Sequence, residues 1–156
     1  MERLHGYYFE DLEEGMAEVY GKTITDADII LFSGISGDIN PLHLNHDFAR
    51  ETPFQGRIAH GMLTASFIST VIGTKLPGPG CIYVGQNLRF RAPVKAGDTV
   101  MAEAVITELR PDKCLAVLET TCVVGDTVVV DGTATVKVPA RADRSVTPDV
   151  TPVAAS

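Results

Sequence analysis

The run HGMLTASFISTVIG, beginning at His60, constrains the fold of this chain more than any other stretch. Its apolar residues go almost all the way round a helical wheel, with small Ala65, Ser66, Ser69 and Thr70 between them. A helix apolar on most faces is a buried one, and the small residues are expected to let a sheet approach it closely. Gly73 and then Pro77-Gly78 end the run. After Gly80 the chain changes character: residues 81–90, 99–109, 114–124 and 127–138 are rich in valine, isoleucine and threonine, as strands are. Arg110-Pro111-Asp112-Lys113 and Gly125-Asp126 are turn signals between successive strands and predict antiparallel hairpins. One buried helix with several long antiparallel strands predicts an α+β domain, the sheet wrapped around the helix.

Upstream, residues 16–24 have the β-branched content of a short first strand. Thr25-Asp26-Ala27-Asp28 has capping-box spacing, with aspartate in place of the usual glutamate. Behind it Ala27, Ile30, Leu31, Gly34 and Ile35 fall on one face and predict an amphipathic helix. That helix is expected to end at Ser36-Gly37. Residues 46–52 read as a short helical turn and 53–59 as a loop containing Gly56. At 156 residues the chain has the length of one domain. Residues 1–139 are assigned to it; 140–156, rich in Ser, Thr, Pro and Ala, read as a disordered tail.

A net charge of −7 argues against nucleic-acid binding and requires a local basic cluster for any anionic ligand. Cys81, Cys114 and Cys122 form neither an even framework nor a CxxC pair, and read as reduced thiols. The acidic N-terminus has no apolar core of signal-peptide length, and polar residues interrupt the longest apolar stretch, so no membrane span is expected. Cytoplasm is the expected location.

The chemistry concentrates in SGDINPLHLN, residues 36–45. Pro41 pushes Asn40 into an extended conformation, so this segment is expected to be an irregular turn where side chains converge. A carboxylate, Asp38, and an imidazole, His43, can there hold one small molecule such as a water. Adding water to a double bond conjugated to a carbonyl needs a group to orient or deprotonate the water. It also needs a proton for the adjacent carbon and stabilisation of the carbonyl oxygen. Asp38 and His43 suit the first two roles; the Asn40 amide can fix the turn or bind the ligand. For the third, His60-Gly61 opens the central helix, where unpaired amides and the helix dipole favour negative charge. Glycine there lets a ligand carbonyl approach the main chain, which makes the Gly61 amide an oxyanion donor. His43 and His46, three apart, also have a metal-like spacing, but only Asp38 offers itself as a third ligand, and the motif is read without a metal. His60 reads as structural, orienting the helix entry.

The stretch FSGISGDINPLHLNHDFA, residues 32–49, closely resembles the hydratase motif of the MaoC-like, (R)-specific enoyl-CoA hydratase family. The resemblance continues through IAHGMLTASFIST, LPGPGCIYVGQNLRFRAPVKAGDTV and GTATVKVP. It implies a hot-dog fold, a homodimer with sheets joined edge to edge, and acyl tunnels near the subunit boundary. It implies that Asp38 and His43 are the catalytic pair that activates water, with Asn40 shaping the loop. It further implies that Gly61 receives the thioester carbonyl, that Ser69 helps hold Asp38, and that Ile72 lines the acyl pocket. The expected activity is reversible hydration of short- or medium-chain trans-2-enoyl-CoA to (R)-3-hydroxyacyl-CoA. No cofactor is implied, coenzyme A being part of the substrate. Arg89, Arg91, Lys95, Arg110 and Lys113 are the basic residues from which its phosphate ligands could come. The rivals are the same chemistry on acyl carrier protein, a thioesterase, whose motif differs, and a non-catalytic acyl-CoA-binding module.

Overall fold

The computed structural model describes residues 4–141. After a single 3-10 turn at Phe9–Asp11 come β1 (Ala17–Thr23), α1 (Asp26–Ser36), α2 (Pro41–Leu44), α3 (His46–Arg50) and α4 (Gly61–Thr74). Four long strands follow: β2 (Ile82–Phe90), β3 (Thr99–Arg110), β4 (Leu115–Val124) and β5 (Thr127–Lys137). All five strands join in one antiparallel sheet of order β1-β3-β4-β5-β2, so β1 and β2 are its edges. The expected α+β arrangement is present, with α4 against the inner face of the sheet. Among the described residues no helix is long and apolar enough to cross a membrane.

The core shows how helix and sheet fit. Alternate residues of β3 and β4 are buried, as expected for strands with one face on the core. The sheet's buried face mixes small and branched side chains: Ala102, Ala104, Ala116 and Ala134 are fully buried beside Val100, Ile106, Leu118 and Val136. Into that floor α4 presents Phe67, Ile68, Val71 and Ile72. Of the small helix residues expected to let the sheet approach, Ala65 is buried and Thr70 half-buried. Ser66 and Ser69, with Met62 and Gly73, instead form an exposed stripe on α4.

The helix α1 begins and ends as its sequence predicts. Thr25 Oγ1 accepts from the Asp28 N–H, the Asp28 carboxylate accepts from the Thr25 N–H, and Gly37 closes the helix at φ 76°. Its packed face is not the predicted one. Ile29 and Ser33 are buried and Phe32 packs on the core, whereas Ile30, Leu31 and Ile35 are exposed, Ile35 by 84%. The helix carries two apolar stripes, and the single chain covers only one.

The carboxyl end folds back on the amino end. The Phe9 N–H donates to the Pro139 carbonyl, and the Arg141 guanidinium pairs with Asp11 and lies over the Tyr8 ring. Arg141, assigned to the tail from sequence, is therefore docked on the domain. The remainder of that tail, residues 142–156, lies outside the described residues.

Candidate active site

The segment from Ser36 to Asn45 is more regular than expected. Asn40 (φ −50°, ψ 127°) is extended, as a residue before proline should be, but Pro41 opens the single helical turn α2. Asn40 Oδ1 accepts from the Leu42 N–H, and Asn45 Oδ1 accepts from the Phe48 N–H to start α3. The first of these two short capped helices carries His43, while Asp38 stands in the loop just before it, its Oδ1 accepting from the Asn40 N–H. Asn40 shapes this loop through its cap.

The carboxylate Oδ2 of Asp38 lies 3.9 Å from Nε2 of His43. His43 is 7% exposed, and its Nδ1 is 2.8 Å from the Ile58 carbonyl oxygen. A carbonyl only accepts, so Nδ1 carries a proton and donates it; Nε2 of the neutral ring then presents a lone pair towards Asp38. Arg57 fixes the residue from its other side, donating from Nε to the His43 carbonyl at 2.8 Å while pairing with Asp26. The Asp38 main chain is also held, its N–H donating to Ser36 Oγ and its carbonyl lying 3.0 Å from His60 Nε2. The Asp38 side chain itself is 52% exposed.

Asp38 opens onto a cleft of about 480 Å³ whose wall includes His60, Gly61, Met62, Phe90 and Val129. The cleft thus joins the acid of the motif to the first residue of α4, whose N–H has no acceptor within the helix. His43 does not line the cleft; it reaches it through Asp38. Ser69, two turns further along α4 on the exposed stripe, and Ile72, in the core, are not lining residues either. Of the basic residues considered from sequence, Arg91 lines the cleft, paired with Asp131 at 2.8 Å.

Asp38, His43 and His60 bring ligand-type atoms within 4.8 Å of one another. Two of their nitrogens are already committed, His43 Nδ1 to the Ile58 carbonyl and His60 Nε2 to the Asp38 carbonyl. The atoms left over are His43 Nε2, the Asp38 carboxylate and the buried Nδ1 of His60. His60, read from sequence as structural at the helix entry, touches the site directly, and so do Arg57 and Ser33, which were not singled out. A residue that supports another through one main-chain contact leaves no spacing signal.

Comparison with known proteins bears on what this arrangement does. A family model described as "MaoC like domain" matches residues 9–138. The chain is 56% identical over 135 residues to an (R)-specific enoyl-CoA hydratase of Rhodospirillum rubrum, covering 86% of this chain and 94% of that protein. It is 53% identical over 134 residues to a 3-hydroxybutyryl-CoA dehydratase of Methylorubrum extorquens, covering 86% and 85%. Among solved structures, an R-hydratase of Pseudomonas aeruginosa in the unliganded form superposes with a TM-score of 0.81 at 42% identity, covering 85% of this chain and 86% of that one.

Proposed function

The chain belongs to the MaoC-like domain family, and from that membership and the geometry of its cleft we propose the reaction and the residues that perform it. The protein is an (R)-specific enoyl-CoA hydratase with the hot-dog fold. It adds water reversibly across the 2,3 double bond of a trans-2-enoyl-CoA to give (R)-3-hydroxyacyl-CoA.

The observation that carries the mechanism is the 3.9 Å gap between Asp38 Oδ2 and His43 Nε2. Both are acceptors, so one water can sit between them and give a hydrogen to each. As its oxygen bonds to C3, the pair takes one proton from it. The electrons of the double bond move onto the thioester oxygen, which the Gly61 N–H receives. Collapse of that enolate draws a proton from the pair to C2. Water is consumed, the pair ends as it began, and both new bonds form on one face of the substrate. Positioned acid–base groups contribute typically about 10²–10⁴-fold, and one oxyanion donor about 2.7–4 kcal/mol.

The protein acts in the cytoplasm as a homodimer. Support for the dimer comes from apolar surface that one chain leaves uncovered: Ile82 and Val84 on edge strand β2, and Ile30, Leu31 and Ile35 on α1. Ser69 lies on the exposed stripe of α4, and its support of Asp38 belongs to the assembled protein. Sedimentation of the full chain at micromolar concentration tests this; a monomer at every concentration would refute it.

Crotonyl-CoA tests the activity. Its conjugated-thioester absorbance should fall with wild-type protein and persist with Asp38→Ala or His43→Ala, and the product should be the R isomer. Undiminished rates in both variants would remove the pair from the mechanism.

A further inference from the structure

His60 has no part in that proton traffic, yet it is the most connected side chain at the site. It is 2% exposed and stands at the N-cap of α4. Caps are usually Ser, Thr, Asp or Asn because their side chains accept a helix amide. The His60 side chain accepts none. Its Nε2 instead lies 3.0 Å from the Asp38 carbonyl oxygen and 3.2 Å from Ser33 Oγ. The carbonyl can only accept, so Nε2 carries the proton. The ring stacks on His43, centroids 3.7 Å apart at 29°, with Phe32 tilted against it at 5.0 Å.

The remaining nitrogen decides between filler and function. Nδ1 of His60 is buried and has no hydrogen-bond partner among the described residues. A buried polar atom left unpaired destabilises a fold. An apolar ring at this position could stack on His43 without that cost. The imidazole is therefore retained for what its Nε2–H does, and that group reaches the main chain of Asp38.

We propose that His60 is a positioning residue of the hydration step: it holds the Asp38 main chain and the His43 ring together and so sets the gap across which they grip water. The proposal rests on the hydratase reading above. His60 also leads directly into Gly61, so one residue couples the water-binding pair to the amide that receives the thioester oxygen. Misplacement of such groups by about 1 Å can cost about 10²-fold in rate.

The test compares wild type with His60→Phe, which keeps a stacking ring and loses the donor, and His60→Gln, whose amide nitrogen can stand where Nε2 does. Crotonyl-CoA hydration gives kcat and KM, and binding of unreactive butyryl-CoA reports whether the cleft is intact. In H60F, kcat should drop about 10²-fold, with KM and butyryl-CoA affinity near wild type. H60Q should recover most of that loss. Wild-type kcat in H60F, equal losses in both variants, or turnover and butyryl-CoA binding lost together would overturn the proposal. Wild-type protein that fails to hydrate crotonyl-CoA would overturn the reading beneath it, an outcome visible before any substitution is made.

Discussion

A Cβ placed on Gly61 would stand 2.6 Å from Cδ1 of Phe90 and 2.7 Å from its Cε1. The last residue of β2 thus lies hard against the first residue of α4, and both line the cleft. Gly61 is helical, so its lack of a side chain serves clearance and not backbone freedom. The direction a side chain would take from Gly61 is filled by the Phe90 ring. Gly61→Ala must push that ring or the helix start aside. Overpacking of this kind costs about 1–3 kcal/mol, towards the low end here because Phe90 is half exposed and can swing. Activity should suffer more than stability, since the displaced atoms surround the amide that meets the thioester oxygen. Urea denaturation and crotonyl-CoA kinetics on Gly61→Ala, with and without Phe90→Ala, check this: the second substitution should restore stability.

The two nitrogens of His43 have separate duties, and two substitutions separate them. Asparagine carries an amide near the position of Nδ1, so His43→Asn can still donate to the Ile58 carbonyl while losing Nε2. It should fold with wild-type stability and lose about 10²–10⁴-fold in kcat. Glutamine carries its amide near Nε2 and leaves the buried Ile58 carbonyl without its donor. His43→Gln should therefore be destabilised by about 1–3 kcal/mol as well. Thermal melts alongside crotonyl-CoA turnover read both effects.

What was legible from sequence divides along physical lines. The boundaries of β3, β4 and β5 were readable because β-branched content and turn residues are local signals, and so was the Thr25–Asp28 capping box. The packed face of α1 was not. Ile30, Leu31 and Ile35 make as good a stripe as Ile29, Phe32 and Ser33, and only tertiary packing selects between them. The one-turn helix α2 was missed because four residues carry no periodicity, although proline at its first position was the available clue. In the site, residue types showed Asp38 and His43 as candidates. Nothing in the spacing shows that His60 Nε2 meets a carbonyl 22 residues back, or that Arg57 holds His43 by its main chain.

Thr64 contributes the opposite kind of test. It is buried on α4 and lines the cleft, and its hydroxyl has no hydrogen-bond partner among the described residues. Replacing such a group by an apolar one of the same shape is neutral or stabilising. Thr64→Val should hold or raise stability by up to about 1 kcal/mol and leave crotonyl-CoA turnover near wild type. Urea midpoints at constant slope measure the first part. A raised KM would instead assign the hydroxyl to the substrate.

Cys122 gives a stability signature at high pH. Its side chain is fully buried on β4, with Sγ 3.7 Å from the Thr64 carbonyl oxygen, and burial pushes the thiol from 9.0 up to about 12. In the unfolded chain the thiol ionises near its ordinary value while the folded protein keeps its proton. Between about pH 9 and pH 12 the unfolded state therefore binds fewer protons, and stability must fall as pH rises. One such group contributes a slope of up to about 1.4 kcal/mol per pH unit. Below pH 9 both states hold the proton and the contribution vanishes. Urea denaturation of wild type and Cys122→Val at pH 8, 9, 10 and 11 should show curves that converge as pH rises, because valine has no proton to lose. Parallel curves across that range would mean that the thiol ionises alike in both states, and so is not sealed in the core.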